Sequence, residues 1–238
     1  MAQTSQMQQP KQNIYGAGHL LEENLEAYTA TTFQPVDDVL KEVVDRAARN
    51  QLPPLHVDSL DGLTLEVVIR MAGYKKMVEV GTLAGYSGIQ IARAIGPDGH
   101  LHTIEVIPQF AEVAKESFRK AGVEDRVTVH VGSAAEVLQR LSKLGPFDAV
   151  FIDADKENYP VYLDWAEENI RVGGAVFADN TFGFGHVWRE ADTIVDNPKL
   201  RGQVAGLRKI NARLANNPNY RATILPTNQG LTMAVRLK

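Results

Sequence analysis

Three observations predict an α/β fold built on an open, seven-stranded, mostly parallel sheet with an antiparallel last strand and helices on both faces. From residue 76 onwards, apolar strand-like runs alternate with helical stretches, the pattern of a parallel sheet joined by right-handed crossovers. Two of those runs end in oxygen-bearing side chains: one closes on Ile152 and Asp153, the other on Ala178, Asp179 and Asn180. The last two runs are separated only by Pro226-Thr-Asn-Gln-Gly230, a hairpin length rather than a crossover.

Taken in order, the first dozen residues are Gln-rich and expected to be disordered, and residues 20–30 and 35–50 read as helices. In the second, Pro35 stands at the helix start, and Val36, Val39, Leu40, Val43, Val44 and Ala47 recur at helical spacing. Leu52-Pro-Pro-Leu55 interrupts that pattern, and a third helix from Ser59 leads through Gly73 into a first buried strand at 76–80. Strands at 100–105, 126–131, 147–153 and 174–178 then alternate with helices at 87–95, 108–121, 134–144 and 159–169. A helix at 202–216 precedes strands at 221–225 and 231–236. Residues 1–50 form a tail and helical appendage, and 51–238 a single sheet domain.

A chain of 238 residues with 44% hydrophobic content can bury one large core. A formal charge of −4, with Lys and Arg scattered, argues against a nucleic-acid surface and for a small-molecule substrate. With no cysteine there is no disulfide, thiolate nucleophile or zinc–sulfur site. No basic leader precedes an apolar stretch at the N-terminus and no membrane-length apolar run occurs, so a soluble, cytoplasmic protein is expected.

In an open parallel sheet, ligands bind beyond the carboxyl ends of the strands, where adjacent ends lie about 4.8 Å apart. Asp153, Asp179 and Asn180 then form an oxygen cluster suited to a hard cation: Mg²⁺, Ca²⁺ or Mn²⁺. The first strand runs into Glu79-Val-Gly-Thr-Leu-Ala-Gly-Tyr-Ser-Gly88, a glycine-rich turn of Rossmann-like type. Its spacing is GxxxGxxG and not the GxGxxG of a dinucleotide site, so it suits a nucleoside without phosphates at least as well. Glu105, ending the second strand, stands where an acid can accept both ribose hydroxyls.

These residues resemble the class I S-adenosylmethionine-dependent methyltransferases, and more narrowly the cation-dependent O-methyltransferases that include the catechol and caffeoyl-CoA enzymes. The resemblance covers roughly residues 50–238 and rests on the stretch from Glu79 to Ser87, on Glu105, on Gly132-Ser-Ala134, on Asp153-Ala-Asp-Lys156 with Tyr159, and on Asp179-Asn180. It implies that 51–238 is an S-adenosylmethionine-binding domain in which Asp153, Asp179 and Asn180 hold the metal and Lys156 serves catalysis with Asp153. It further implies that Glu79, Gly81, Thr82, Ser87, Glu105, Ala134, Asp153 and Asp155 surround the methyl donor. The implied acceptor is a small vicinal dihydroxyphenyl compound, and the implied assembly a homodimer. A bidentate cation would acidify such an acceptor, whose hydroxyls ordinarily titrate near pH ~10, while Lys156 takes the proton or holds the phenolate. One departure stands out: Gly183 occupies a position where the plant caffeoyl-CoA enzymes carry Trp, so the wall formed by Phe182, Phe184 and Trp188 is expected to be rebuilt around a different acceptor.

Simpler roles compete for several of these residues. Asp153 and Asp155 could be turn or cap residues, Glu105 could cap the helix opening at Pro108, and Ser87 could be a helix N-cap. His100 and His102 share a strand face with no third ligand expected nearby, which favours packing. Asn217-Pro-Asn-Tyr220 reads as a helix stop. Glu22-Glu23, Asp37-Asp38 and Glu167-Glu168 read as solvated faces, and Phe182, Phe184 and Trp188 could equally pack in a core or a dimer contact. Two other functions remain open at this level: an NAD-dependent oxidoreductase, disfavoured by the missing GxGxxG, and a non-catalytic S-adenosylmethionine-binding protein, disfavoured by Lys156 beside the oxygen triad.

Overall fold

A computed structural model describes residues 23–189, 197–227 and 229–238. Helices α1 (Glu23–Phe33), α2 (Asp38–Arg49) and α3 (Ser59–Ala72) precede an alternation of β1 (Lys76–Val80), α4 (Tyr86–Ile95), β2 (His100–Glu105), α5 (Pro108–Lys120) and β3 (Val127–Val131). It continues through α6 (Ala134–Leu141), β4 (Phe147–Ile152), α7 (Tyr159–Asn169), β5 (Ile170–Ala178), α8 (Pro198–Asn216), β6 (Tyr220–Leu225) and β7 (Leu231–Arg236). The strand order is β3-β2-β1-β4-β5-β7-β6, with β7 antiparallel to both its neighbours and therefore the single reversed strand. No described helix is long and apolar enough to cross a membrane.

Both sheet faces are covered, which is why the central strands read as nearly unbroken apolar runs. Met77, Phe151 and Phe177 turn toward α3, α4 and α5, where Leu65, Ile69, Ile91 and Phe118 meet them. Val78, Val150, Ile152 and Val176 turn the other way, toward Leu138, Leu163, Leu207 and Ile210 on α6, α7 and α8. Each such side chain contributes about 1.5–3 kcal/mol by leaving water. Leu40 and Val43 of α2 join the first of these clusters.

Several boundaries differ from the sequence expectation for local reasons. The helix expected from Pro35 starts at Asp38, because Asp37 caps it by accepting the Leu40 N–H at 2.9 Å. Asp37 also pairs with Arg93 at 2.9 Å, so it is not merely a solvated face. Glu167 likewise bonds Arg213 and Asn217. The tail and the first residues expected in the helix at 20–30, with Glu22, lie outside the described residues. Helix α8 begins at Pro198, four residues early, with Asn197 accepting the Leu200 N–H at 3.1 Å. Strand β5 starts at Ile170, since a register shift opposite Phe147 and Ala149 lets the Gly173-Gly174 stretch bulge while the chain stays in the sheet.

The histidines do find a third partner, supplied by the neighbouring strand. His102 Nδ1 lies 3.1 Å from His130 Nε2, and the His100 ring is 4.7 Å from that of His102. His102 also packs edge-on against Phe147. Among the described residues no group of three or more His, Cys, Asp or Glu is placed to hold a metal ion, so packing is the role the structure supports. Burial, with the neighbouring imidazoles adding to it, lowers the His102 pKa to about 4. The unfolded chain, with imidazole near ~6.5, therefore binds more protons than the folded one between those values, and stability falls as pH drops below the unfolded value. Thermal unfolding should show a loss of about 1–2 kcal/mol between pH 7.5 and pH 5, or roughly 3–8 °C. His102→Leu should flatten that slope, and an unchanged slope would assign the acid sensitivity elsewhere.

Candidate active site

The hydrogen-bond ladder of the sheet runs one residue past the strand ends and so aligns the key side chains. Val80 pairs with Ile152, and Ile152 with Ala178. The next residues continue the register: Asp153 N–H donates to Val80 O at 2.8 Å, Asp179 N–H to Ile152 O at 3.0 Å, and Gly81 N–H to Ile104 O at 3.1 Å. Gly81 has φ 103°, and a Cβ there would lie 2.0 Å from Asp153 O, so only glycine fits.

Asp179 and Asn180 are buried, and Asp179 Oδ1 and Asn180 Oδ1 have no hydrogen-bond partner among the described residues. Burial, and then the neighbouring Asp153, raise the Asp179 pKa to about 8 although Lys156 pulls the other way. Orphaned, buried oxygens beside a second carboxylate are costly on their own and form a fitting donor set for a hard divalent cation, two carboxylates and one amide. Lys156 Nζ sits 2.8 Å from Asp153 Oδ1 and 5.1 Å from the Tyr159 ring centre. Burial favours the neutral amine, but the Asp153 charge and the Tyr159 hydroxyl outweigh it and hold Lys156 above its ordinary range, as an ammonium. Tyr159 is wholly buried and its hydroxyl donates to Asp179 O at 3.1 Å.

Helix α8 fixes the turn that carries the lysine. A Cβ on Gly206 would lie 2.1 Å from Lys156 O, and one on Gly202 would lie 2.4 Å from Glu157 Oε1. Glycine inside a helix costs about 1 kcal/mol relative to alanine, and here it permits direct backbone contact. The α8 residue Arg208 donates to the carbonyls of His186, Val187 and Arg189, anchoring the segment that follows Asn180. Within that segment Gly183 is buried with φ 55°, and a Cβ would meet Val187 and Leu207 at 3.0 and 3.1 Å. No bulky residue fits there.

At the glycine turn, Glu105 accepts the Leu83 N–H at 2.8 Å and the Ile107 N–H at 3.0 Å. It therefore ties the glycine turn to the residue before α5 but does not cap that helix, whose N-cap is Ile107 with no side-chain cap bond. Ser87 is not an N-cap, since Gly85 holds that position. Its hydroxyl instead donates to Glu79 Oε1 at 2.6 Å, and Thr103 donates to Glu79 Oε2 at 2.6 Å. Burial raises the Glu79 pKa to about 7 against those two hydrogen bonds. Asp155 stands at the N-cap of the short 3-10 turn Lys156–Asn158, but its side chain makes no cap bond; it accepts from the Tyr162 hydroxyl and from Asn158.

A cavity of about 1010 Å³ joins both halves and is lined by Gly81, Thr82, Ser87, Glu105, Ala134, Asp153, Asp155, Lys156, Asp179, Asn180 and Phe184. Glu79 lies behind its wall, wholly buried. Phe182 packs against Trp188 with ring centres 5.4 Å apart and lies under Gly230, whose Cβ would come within 2.6 Å of the ring; neither aromatic is among the lining residues. Sequence reasoning missed Val43 and Ala47 of α2, His56 and Tyr86, and Lys199 and Gln203 of α8, which also line the cavity. It also missed Asp61, wholly buried with Oδ1 unpartnered and its pKa raised to about 6 by burial. Thr103 had a findable signal, since it stands two residues before Glu105 on the same strand face.

Known proteins share this fold. The model of a family described as O-methyltransferase matches residues 30–237. A catechol O-methyltransferase of Niastella koreensis is 35% identical over 205 residues, 85% of this chain and 90% of the relative. A catechol O-methyltransferase of Mycobacterium tuberculosis is 37% identical over 71% of this chain and 76% of its own length. Among solved structures, an O-methyltransferase from Bacillus cereus in complex with SAH superposes with TM-score 0.81 at 32% identity, covering 90% of this chain and 97% of that one. TomG from Streptomyces achromogenes, in complex with SAM, gives TM-score 0.80 at 33% identity, covering 90% and 96%. These matches set aside the oxidoreductase alternative, and on a family model spanning nearly its whole length this chain belongs to the O-methyltransferase family.

Proposed function

We propose that the protein transfers a methyl group from S-adenosylmethionine to one hydroxyl of a small vicinal dihydroxyphenyl acceptor, assisted by a divalent cation. The observation that carries this reading is the pair of buried, unpartnered oxygens on Asp179 and Asn180 beside the Asp153–Lys156 pair, in a cavity continuous with the glycine turn. Relatives named catechol O-methyltransferase and structural neighbours holding SAM or SAH support the donor and the acceptor class.

The donor supplies an electrophilic methyl on a sulfonium, and a cation held by Asp153, Asp179 and Asn180 would lower the acceptor's hydroxyl pKa and engage both of its oxygens. The chain's own residues do the rest. Glu105, with lone pairs left after its two backbone bonds, accepts the ribose hydroxyls, while Gly81 admits the donor's close approach. Asp155, steadied by Tyr162 and Asn158, and Ala134 at the start of α6 bound the nucleoside end. Lys156, an ammonium while paired with Asp153, stabilises the phenolate charge; with Asp153 engaged by a cation that pairing would loosen, and Lys156 could take the acceptor's hydroxyl proton as well. Phe184 forms part of the acceptor wall, with Phe182 and Trp188 supporting the segment behind it.

The decisive assay incubates the protein with S-adenosylmethionine and a panel of vicinal diols and monophenols, with Mg²⁺ or EDTA, and follows methylated product by mass. Product should come from the vicinal diols alone and vanish with EDTA. Asp153→Ala or Asp179→Ala should cut kcat/KM at least ~100-fold; product that survives EDTA would sink the metal role. Lys156→Met should lower kcat by roughly 10²–10³ with little change in donor KM, and Lys156→Arg should keep more activity than Met because the charge stays. Equal loss in the two variants would argue against charge stabilisation. Gly206→Ala should push the Lys156 turn outward and reduce kcat about tenfold while donor binding holds. Unchanged kcat there would show that the turn relaxes freely.

A further inference from the structure

We infer that Thr103 is a positioning residue for the methyl donor: its hydroxyl, set between the Glu79 carboxylate and the Thr82 hydroxyl, holds the glycine turn in its receiving shape. The inference rests on the donor reading above. Thr103 is wholly buried on β2, directly opposite Glu79 of β1 in the parallel register. Its Oγ1 donates to Glu79 Oε2 at 2.6 Å and lies 2.5 Å from Thr82 Oγ1. A hydroxyl has one proton, so with Thr103's given to the carboxylate, Thr82 is the donor in the second contact. The chain of donation runs Thr82 to Thr103 to Glu79, with Ser87 entering Glu79 from the other side. Its two outer members, Thr82 and Ser87, line the cavity, whereas Thr103 and Glu79 lie behind it.

Packing alone does not call for a hydroxyl at this place. Thr103 stands between His102 and Ile104 in the chain and between Glu79 and Val129 in the sheet, where valine would fill the same volume but leave Glu79 Oε2 without this donor. The hydroxyl makes sense as the first of three consecutive ties from β2 to the turn. Thr103 holds the Thr82 side chain, Ile104 O accepts the Gly81 N–H, and Glu105 accepts the Leu83 N–H. Leu83 has φ 50°, a left-handed conformation that a leucine rarely adopts, so the turn needs such ties to keep its shape.

The test compares wild type, Thr103→Val and Thr103→Ser by calorimetric binding of S-adenosylhomocysteine and by steady-state kinetics with S-adenosylmethionine. Thr103→Val should weaken S-adenosylhomocysteine binding and raise donor KM about tenfold, with acceptor KM and kcat at saturating donor within about threefold of wild type. Thr103→Ser, which restores the hydroxyl without the methyl, should bind within about threefold of wild type. Wild-type donor affinity in Thr103→Val, or equal loss in the Ser and Val variants, would overturn the inference. If the Val variant does not fold, Thr103→Cys replaces it, its weak S–H donor giving an intermediate loss; undiminished affinity there would overturn the inference too. Wild type that fails to bind S-adenosylhomocysteine would remove the donor reading itself, a result separable from any behaviour of the variants.

Discussion

The register of the parallel ladder beyond β1, β4 and β5 is the constraint on which the rest of the site depends. Because Val80, Ile152 and Ala178 are neighbours in the sheet, the residues that follow them are neighbours too, about one strand spacing apart. Asp153 stands in the middle of that row, with Gly81 on one side and Asp179 on the other, at the point where strand order reverses. A slip of one residue in β4 would turn Asp153 away and bury its neighbours on the wrong face. The apolar packing of Phe151 on one side and Ile152 on the other therefore fixes the chemistry as well as the fold.

Bringing acids together in a low-dielectric place is unfavourable, and the molecule handles it differently at the two ends of the cavity. At the glycine-turn end, Glu79 is supplied with hydroxyl donors and Glu105 with backbone N–H groups. At the other end, Asp153 has Lys156, while Asp179 and Asn180 keep unpartnered oxygens. Groups left unsatisfied in one place, when comparable groups nearby are satisfied, point to a ligand that completes them. Burial first, and then the Asp153 charge, hold the Asp179 pKa up even with Lys156 nearby, a cost that a cation between the two carboxylates would relieve.

Much of this was legible in sequence because it depends on period and ending. All seven strands, their mostly parallel order and the terminal hairpin follow from alternation and connection length. Asp153, Asp179 and Asn180 were readable because each follows the end of a buried apolar strand. What escaped depends on contacts between distant elements. The wall supplied by α2 and α8 reflects how helices pack, which no local spacing encodes. Gly202 and Gly206 look like weak points in a helix until the Lys156 turn is seen against them. Ser87 was ambiguous because a serine near a helix start has a sufficient local explanation, and only the cross-strand position of Glu79 removes it.

The two ends of the cavity are also joined through the backbone. Gly81 belongs to the glycine turn and touches Asp153 O, so the loop that would receive the donor and the residue that would hold the cation share one contact. On the far side, α8 presses on the Lys156 turn through Gly206 and holds the segment after Asn180 through Arg208. Donor, cation and acceptor would thus meet surfaces that are pinned to each other by backbone contacts rather than by long flexible side chains. Methyl transfer is an in-line displacement whose rate depends on holding two reactants within a few tenths of an ångström of the productive geometry. A site assembled from strand ends and close glycine contacts meets that demand before any ligand arrives, and this is the physical reason for placing such chemistry on this sheet.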